Sequence, residues 1–475
     1  MDCIAYIDII LYVSEMGNAS LTLDHPAARW LKRLERGERP LYLALLEALD
    51  GAIREGELQA GDQLPPQRAV AELIGVDFTT VTRAYGAARD RGLVEGAVGR
   101  GTFVRARAAD DETGRVDLSM NLPPPPAGVS LAAMLKDTTR AVLERTDTAT
   151  LMAYHPGAGT LGQRMAAASW LAPMMGEIDP ERVLICAGAQ TALAALLASL
   201  LGAGDAVIVE PLTYPGLKAI AEELGLRLLP CPVDDQGFEP QALERLARGA
   251  RGLYLIPTTQ NPTASTMGLA RRREVAEIAR AHDLWILEDD PYSRLFDAPL
   301  PAVASLAPER SFHVATLSKT LSPGLRTAFL VTPVGPLAER AAASLRATSL
   351  MPAPLMTAVV TSWIREGAAQ ALLAGVRAEA RARRAIAARV LPMAKGAAEG
   401  LHVWLDLADE REPGRLRTAA QARGLSLVTA EAFAVGETWA DGVRISLGGP
   451  AKREVLEAAL RGVAGLLDGP GRVVV

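Results

Sequence analysis

The chain has 475 residues, 49% of them apolar and 22% charged, a balance that is typical of folded globular proteins and excludes a largely disordered chain. Its length predicts about two to four domains. The net charge of −5 at pH 7 argues against nucleic-acid binding by the whole surface, although a local basic face remains compatible with it.

The cysteines, histidines and apolar runs exclude further classes of protein. Cys3, Cys186 and Cys231 form neither a CxxC pair nor a disulfide framework, which fits a reducing cytoplasm. The five histidines are scattered without an HExxH pattern, so no metal site is predicted. We expect no transmembrane helix, because no apolar run is long enough. Residues 1–13 are apolar but lack a basic residue, so they do not predict a secretion signal. They are either an N-terminal extension of the protein or precede a true translation start at Met16, and both interpretations stay open.

After an N-terminal extension, residues 1–29, the sequence predicts a small winged helix-turn-helix module over residues 30–107. Two short helices follow each other across Gly75, and Asp77 offers a short polar side chain to cap the second one. The expected elements are an amphipathic helix (41–54), the two short helices (67–74 and 77–91) and a β-hairpin, the wing (92–95 and 101–105).

The charge of this module differs from that of the whole chain. Residues 77–107 contain six arginines and three acids, a net charge of +3. Such a surplus suffices for contacts with nucleic-acid phosphates. A solvated helix face would explain the arginines equally well, and both interpretations stay open at this point.

Four motifs cover most of the module: LPPQR (64–68), GVDFTTVTRAY (75–85), GLV (92–94) and GRGTFV (99–104). They resemble the winged-helix domain of the GntR family of transcription factors. The resemblance implies double-stranded DNA as a partner, contacted by Gln67 and Arg68 at a helix start, by Thr79, Thr80 and Arg83 on the recognition helix, and by Arg100 in the wing. The chain departs from the family at Pro66, where many members have serine, and at Asp77-Phe78, where many have a Ser-Arg pair.

Residues 108–117 are polar and charged and predict a short linker. A proline run follows at 123–126, and prolines favour a stiff, extended chain. The second domain is expected to span residues 118–475.

Short apolar runs alternate with helical patterns in the second domain. The seven runs are 183–186, 206–209, 227–230, 253–256, 284–287, 312–315 and 328–331. Apolar strands at such spacing predict an α/β fold with a mostly parallel sheet covered by helices. Ligands of such sheets bind beyond the carboxyl ends of the strands.

Residues with the chemistry of a cofactor site follow these strands. Small residues at 188–193 open a helix whose free N–H groups suit a phosphate. Tyr214 follows the second strand, the segments 260–263 and 288–292 follow the fourth and fifth, and Lys319 follows the sixth. A lysine between apolar flanks and near Arg326 is expected to have a lowered pKa, which makes it a Schiff-base nucleophile.

About 350 residues with these motifs resemble the fold-type I aminotransferases, which have a small C-terminal α+β subdomain. The resemblance implies pyridoxal 5′-phosphate as cofactor, with Lys319 as the catalytic residue that forms the internal aldimine. It implies ring contacts from Asp289, Asn261, Tyr292 and Tyr214, and phosphate contacts from Ala189, Gln190, Ser318 and Arg326. Thr316 stands where many relatives have serine, Arg444 is expected to clamp the α-carboxylate of an amino acid, and Tyr154 is expected to reach the partner's phosphate in a homodimer.

Two further patterns are expected to have no ligand. Residues 157–162 match GxGxxG, but no apolar strand precedes them, so a dinucleotide site is rejected. Arg377, Arg381, Arg383 and Arg384 are predicted to form a solvated helix face.

A GntR-like winged helix joined to an aminotransferase-like domain resembles the domain arrangement of the MocR-type regulators. The leading hypothesis is a transcription factor that binds pyridoxal phosphate and senses either this cofactor or an amino compound through the Lys319 aldimine. An active aminotransferase with a DNA-binding appendage is the alternative, and a sensor whose cofactor is purely structural is a third hypothesis. The cytoplasm is the expected compartment.

Overall fold

The computed structural model describes residues 22–23, 25–34, 40–55, 57–58, 61–97, 101–105, 115–155, 157–333, 335–407, 413–437 and 441–468. The chain divides into two compact units, Met1–Thr113 and Gly114–Val475. None of the helices within the described ranges is both long enough and apolar enough to cross a membrane.

The first unit contains helices followed by a small antiparallel sheet. In chain order its elements are a 3-10 helix (Pro26–Arg33), α1 (Leu41–Arg54), β1 (Gln63–Leu64), α2 (Gln67–Ile74), α3 (Phe78–Asp90), β2 (Val94–Ala97) and β3 (Gly101–Val104). The strands lie in the order β1-β3-β2. The helices and the hairpin predicted from the sequence therefore form a winged helix-turn-helix.

Local sequence explains where the helices of this unit begin and end. Asp77 Oδ1 accepts a hydrogen bond from the backbone N–H of Thr79 at 2.8 Å and so caps α3. Gly75 ends α2 in the left-handed region, with φ of 66°, where a side chain would be strained.

The core of the first unit extends into the predicted N-terminal extension. Ala28, Trp30 and Tyr85 are all buried in one apolar cluster. The Tyr85 hydroxyl donates to the carbonyl oxygen of Pro65 at 3.0 Å, which satisfies its polar group inside the core. The packed part of this unit therefore begins before residue 30.

The second unit is built on a seven-stranded sheet with helices between its strands. The sheet order is β5-β13-β12-β11-β10-β6-β7, and all pairs are parallel except those of β13, which is antiparallel to both neighbours. The strands are β5 (Val183–Cys186), β6 (Ala206–Val209), β7 (Arg227–Pro230), β10 (Gly252–Leu255), β11 (Trp285–Asp290), β12 (Ser311–Thr316) and β13 (Ala328–Val331). Six of them consist almost wholly of buried residues, as a sheet covered on both faces requires.

The helices of this unit connect and cover these strands. They are α4 (Leu131–Arg145), α5 (Thr148–Leu151), α6 (Leu161–Met175), α7 (Ala189–Leu200), α8 (Pro215–Glu223), α9 (Pro240–Ala247), α10 (Leu269–Ala281), α11 (Val303–Leu306), α12 (Pro336–Ser349), α13 (Pro354–Arg365) and α14 (Ala368–Val390). A two-stranded ribbon of β8 (Val233–Asp234) and β9 (Gly237–Phe238) precedes α9.

The chain ends in a smaller α+β part with its own apolar cluster. Its three-stranded sheet has the order β14-β17-β16, and a separate parallel pair joins β15 to β4. The elements are β14 (His402–Asp406), α15 (Pro413–Ala422), β15 (Leu425–Ser426), β16 (Val428–Thr429), β17 (Gly442–Ser446) and α16 (Arg453–Asp468), with β4 at Val116–Asp117. The last two residues of the predicted linker are thus strand β4 of the second unit, and residues 108–114 lie outside the described residues.

One prediction about α14 is wrong. Arg383 does not face solvent but is 1% exposed. It donates to Glu379 Oε1 at 2.8 Å and to the carbonyl oxygen of Pro450 at 2.6 Å. A buried guanidinium must be paired in this way, and it ties α14 to the loop before α16. Arg384 also turns inward and reaches the carbonyl oxygen of Gly396 at 3.2 Å.

Candidate functional site

The carboxyl ends of the parallel strands bring the predicted cofactor residues to one edge of the sheet. Lys319 follows β12, Asn261 follows β10 and Tyr214 follows β6. Asp289 was expected after the fifth strand, but it lies within β11, whose last three residues are acidic. Each of these buried carboxyls lies near a polar group on a neighbouring strand: Glu288 and Asp290 are 3.6 and 3.5 Å from the ring nitrogens of His313 on β12, and Asp289 meets Tyr254 on β10.

A cradle suited to an anion forms where α7 begins. Gly188 precedes the helix with φ of 99°, and no side chain caps the free N–H groups of Ala189 and Gln190. A Cβ atom on Gly188 would lie 2.7 Å from Arg326 Nη2, so a side chain here would displace the guanidinium from its present place, and the positive φ also favours glycine. Helix N–H groups beside an arginine favour a phosphate. Ser318, whose hydroxyl accepts from Thr316 Oγ1 at 3.1 Å, belongs to the loop between β12 and Arg326.

Asp289 is a buried carboxyl whose Oδ2 is hydrogen-bonded to a tyrosine on the next strand. The hydroxyl of Tyr254, on neighbouring β10, donates to Asp289 Oδ2 at 2.8 Å. Burial raises the pKa of Asp289 to about 6, against the lowering effect of the Tyr254 hydrogen bond. The carboxyl therefore ionises near neutral pH, where a protonated ring nitrogen would be its natural partner.

Lys319 has the electrostatic character of an amine nucleophile. Burial, helped by the positive charges of Arg444 and Arg326 and opposed by Asp289, lowers the pKa of Lys319 to about 8. Its Nζ donates to the backbone carbonyl oxygen of Asn121 at 2.5 Å. The sequence predicts the lysine but not this partner.

Asn121 and His402 are site residues that the sequence analysis missed. Asn121 Nδ2 lies 2.9 Å from the hydroxyl oxygen of Tyr292 and 2.8 Å from His402 Nδ1. Burial lowers the pKa of His402 to about 3, so the ring is neutral. His402 Nε2 lies 3.1 Å from the carbonyl oxygen of Gln260, and therefore Nε2 donates to that oxygen while Nδ1 accepts from Asn121.

The signals for these two residues differ in strength. His402 is a polar residue in an otherwise apolar run, which could have marked it. Asn121 stands beside a proline run and follows no predicted strand, so nothing in its local sequence indicates a place in the site.

Arg444, on β17, is held from three sides. Its Nη1 donates to Asn261 Oδ1 at 2.7 Å, its Nη2 donates to the carbonyl oxygen of Ser119, and its Cζ lies 5.0 Å from the ring centroid of Phe433. Its Nε has no hydrogen-bond partner among the described residues. A buried guanidinium with a spare donor suits a carboxylate ligand.

Tyr214 and Tyr154, two further predicted cofactor residues, differ in their exposure to solvent. Tyr214 is half-buried, and its hydroxyl donates to Gln190 Oε1 at 3.0 Å, so these two residues meet at the start of α7. Tyr154 is 76% exposed. Its role at a second subunit stays a prediction.

In the first unit, polar side chains occupy the N-terminal turns of α2 and α3. Arg68, Thr79 and Arg83 are exposed, whereas Gln67 and Thr80 are half-buried. This is the end of a recognition helix that reaches base edges in helix-turn-helix proteins. Arg100 lies outside the described residues, together with Val98 and Gly99 before it.

Two aromatic rings hold the arginines of this surface. Arg83 Cζ lies 4.4 Å from the ring centroid of Tyr42, on α1. Arg68 Cζ lies 5.7 Å from the ring centroid of Phe78, the first residue of α3. Stacking on a ring restricts a guanidinium without neutralising it, which prepares it for a phosphate or a base.

Comparisons with known proteins match both units. The aminotransferase class I and II family matches residues 114–460, and the gntR family of bacterial regulatory proteins matches residues 41–104. The uncharacterized HTH-type transcriptional regulator YdeF of Bacillus subtilis is 31% identical over 452 residues, covering 92% of this chain and 97% of the relative. The HTH-type pyridoxine biosynthesis transcriptional regulator PdxR of Corynebacterium glutamicum is 30% identical over 413 residues, covering 84% of this chain and 89% of the relative.

A solved structure supports the assignment of the second unit. LysN, an alpha-aminoadipate aminotransferase of Thermus thermophilus, is 26% identical with a TM-score of 0.68, covering 75% of this chain and 93% of that chain. The winged helix and the fold-type I aminotransferase fold predicted from the sequence are thereby confirmed. The chain belongs to the MocR-type transcriptional regulators, in which a GntR-type helix-turn-helix domain is joined to an aminotransferase class I and II domain.

Proposed function

We propose that this regulator binds pyridoxal 5′-phosphate in its second unit and that an amino compound arriving at Lys319 changes its affinity for DNA. The observation that carries the proposal is Lys319 itself, a largely buried amine with a pKa lowered to about 8. The proposal is also supported by the Corynebacterium relative, which is named as a transcriptional regulator of pyridoxine biosynthesis.

The residues present fit this cofactor. The uncapped start of α7 and Arg326 suit its phosphate, and the glycine at 188 leaves room for both. Asp289 suits its ring nitrogen, since a carboxyl buried at this depth needs a cationic partner. Pyridoxal phosphate supplies an aldehyde that amines attack and a ring that withdraws electrons.

Three side chains of the site have separate roles in binding the cofactor and the effector. Lys319 Nζ gives up its proton readily and acts as the nucleophile. Tyr292 receives a hydrogen bond from Asn121 on its oxygen, so its own O–H is directed elsewhere and can serve a ring oxygen. Arg444 has the donors for an α-carboxylate, which favours an amino acid over a simple amine as effector.

A ligand changes DNA affinity only if it binds two conformations of the regulator differently. The decisive experiment measures binding of the protein to its own promoter without ligand, with pyridoxal phosphate, and with pyridoxal phosphate plus each of a panel of amino acids. We expect one class of amino acid to shift the affinity. A promoter affinity and DNA bend that never respond would contradict the proposal. Rapid conversion of the cofactor to its amine form, and return with a keto acid, would instead indicate a transaminase.

The capture of pyridoxal phosphate is expected to depend on pH. Because only the neutral amine attacks, the rate should rise as the pH passes through about 8 and then level off. At pH 7 roughly a tenth of Lys319 is neutral, far more than for an ordinary lysine. Stopped-flow absorbance of the ligand-free protein checks this. A rate that keeps rising toward the usual lysine pKa would show that the amine is not perturbed.

Phe78 is expected to contact thymine. It is 43% exposed at the start of the recognition helix, where apolar side chains meet the thymine methyl group. On a duplex selected by this protein from a randomised pool, replacing a contacted dT by dU should weaken binding about three- to fivefold, the value of one methyl group. Phe78→Ala should bind both duplexes equally. Equal losses for both proteins would exclude this contact.

We also propose a homodimer. Tyr154 stands in solvent in the single chain, as a side chain destined for a second subunit would. Sedimentation of the purified protein gives the number of subunits, and a monomer that still binds the cofactor tightly would exclude this role of Tyr154.

A further inference from the structure

The segment Ser119–Leu122, here named the readout segment, accepts hydrogen bonds from two cations of the proposed ligand site, Lys319 and Arg444. Arg444 Nη2 donates to the carbonyl oxygen of Ser119. Lys319 Nζ donates to the carbonyl oxygen of Asn121 at 2.5 Å. Arg444 would be needed by an amino acid and Lys319 by the cofactor. Both are therefore hydrogen-bonded to backbone carbonyls of one short segment.

The Asn121 side chain holds this segment against two buried residues of the site, Tyr292 and His402. Its Nδ2 lies 2.9 Å from the Tyr292 hydroxyl and 2.8 Å from His402 Nδ1. Because His402 is neutral and its Nε2 is occupied by Gln260, Nδ1 is available only as an acceptor. The carboxamide is thus oriented with its nitrogen toward both partners. Asn121 Oδ1 has no hydrogen-bond partner among the described residues.

The readout segment is held at both ends. Leu118, just before it, donates its backbone N–H to the carbonyl oxygen of Ser426 at 3.0 Å and accepts from the backbone N–H of Ser446 at 2.8 Å. At the other end a Cβ atom on Gly448 would lie 1.7 Å from the carbonyl oxygen of Leu122, so the two backbones are in direct contact. The segment cannot move without these neighbours.

The readout segment also lies close in sequence to the DNA-binding unit. The second unit begins at Gly114 and the first ends at Thr113. Only β4 and a few residues precede Ser119 within the second unit. Few residues of the second unit therefore separate the readout segment from the end of the first unit in the sequence.

We propose that Asn121 is the positioning residue that couples the occupancy of the ligand site to DNA binding, with His402 holding it in place. This inference rests on the proposed function. An α-carboxylate competes with Ser119 for Arg444, and the cofactor competes with Asn121 for Lys319. Ligands would thus withdraw charged donors from two backbone carbonyls, whereas an amine that displaces Lys319 from the cofactor would free its Nζ to return to Asn121. The readout segment has a different set of partners in each state.

The test compares the ligand-dependent change in promoter affinity among variants of the full-length protein. Allosteric couplings lie between about 5- and 150-fold, and the wild type is expected within this range. Asn121→Ala should lose the ligand-dependent change in promoter affinity, and its binding of pyridoxal phosphate is titrated in parallel. Met120→Ala is the matched control, because Met120 belongs to the same segment but is 57% exposed, and it should behave as the wild type.

His402 provides a second pair of variants. His402→Leu removes the acceptor for Asn121 Nδ2 and should abolish the coupling. His402→Asn keeps an acceptor at a similar place and should restore most of it, a rescue that a purely space-filling role would not give. If Asn121→Ala does not fold, these two variants still test whether the contact between Asn121 and His402 couples ligand binding to DNA binding.

The possible outcomes distinguish a failure of the proposed function from a failure of the coupling role of Asn121. A wild type that ignores every ligand contradicts the proposed function itself. A wild type that responds, with Asn121→Ala and His402→Leu responding equally, overturns only the coupling role. Loss of pyridoxal phosphate binding together with the coupling would make Asn121 a ligand contact and likewise overturn it.

Discussion

Lys319→Ala is expected to abolish the response of DNA binding to pyridoxal phosphate and amino acids. The substitution removes a largely buried amine whose pKa is lowered to about 8, and with it the proposed nucleophile of the site. The ligand-dependent change in promoter affinity, about 5- to 150-fold in allosteric proteins, should disappear. The variant should also lose, on gel filtration, the visible absorption band that we expect of the wild type loaded with pyridoxal phosphate. Fluorescence anisotropy with labelled promoter DNA and an absorbance spectrum measure the two effects.

Lys218→Ala is the matched control for this prediction. Lys218 is also a partly buried lysine whose pKa is lowered by burial, but its Nζ donates to the carbonyl oxygen of Ala432 at 3.2 Å, away from Asp289. It should leave both the spectrum and the response unchanged. Ligand-dependent regulation that persists in Lys319→Ala would favour a purely structural cofactor.

Arg83→Ala is expected to weaken DNA binding on every sequence. The guanidinium is exposed on the recognition helix and lies 4.4 Å from the Tyr42 ring, so it is both available and preorganised. Loss of one phosphate contact should reduce the slope of log K against log salt by about 0.9. The charged hydrogen bond should cost about 1.5 to 3 kcal/mol, or roughly 10- to 100-fold in affinity. Salt titrations of DNA binding measure both quantities.

Arg33→Ala is the matched control in the same unit. Arg33 pairs with Glu55 at 2.6 Å and with Glu57 at 2.7 Å, so its charge is already compensated. Its removal should leave the salt slope as in the wild type. Tyr42→Leu should give an intermediate loss, because Arg83 keeps its charge but not its ring. An unchanged slope in Arg83→Ala would place this arginine outside the DNA contact.

Local sequence predicts those parts of the molecule that depend on local physics. The bounds of α1 and α2 follow from apolar periodicity and from Gly75, which alone fits the left-handed turn at the end of α2. Apolar runs of four residues predict most strands of the large sheet because both faces of a parallel sheet are buried. The same rule failed at Asp289, where a strand continues through carboxyls that find partners on neighbouring strands.

Long-range contacts are the part that the sequence analysis missed. Arg383 has the sequence context of a solvated helix residue, yet it is buried because carbonyl groups more than sixty residues later need its donors. Asn121 is separated from Tyr292 and His402 by 171 and 281 residues. No spacing or periodicity connects such positions, since only the closed fold brings them together.

The sequence by itself determined the family, the winged helix, the sheet and the identity of the residues that follow its strands, because motifs and apolar patterns record local requirements. Only the tertiary structure decided the environment of those residues. Burial and neighbouring arginines set the pKa of Lys319, Tyr254 fixes Asp289, and the readout segment supplies carbonyls to Lys319 and Arg444. Charge and hydrogen bonding depend on distance in space, and that distance exists only once the chain has folded.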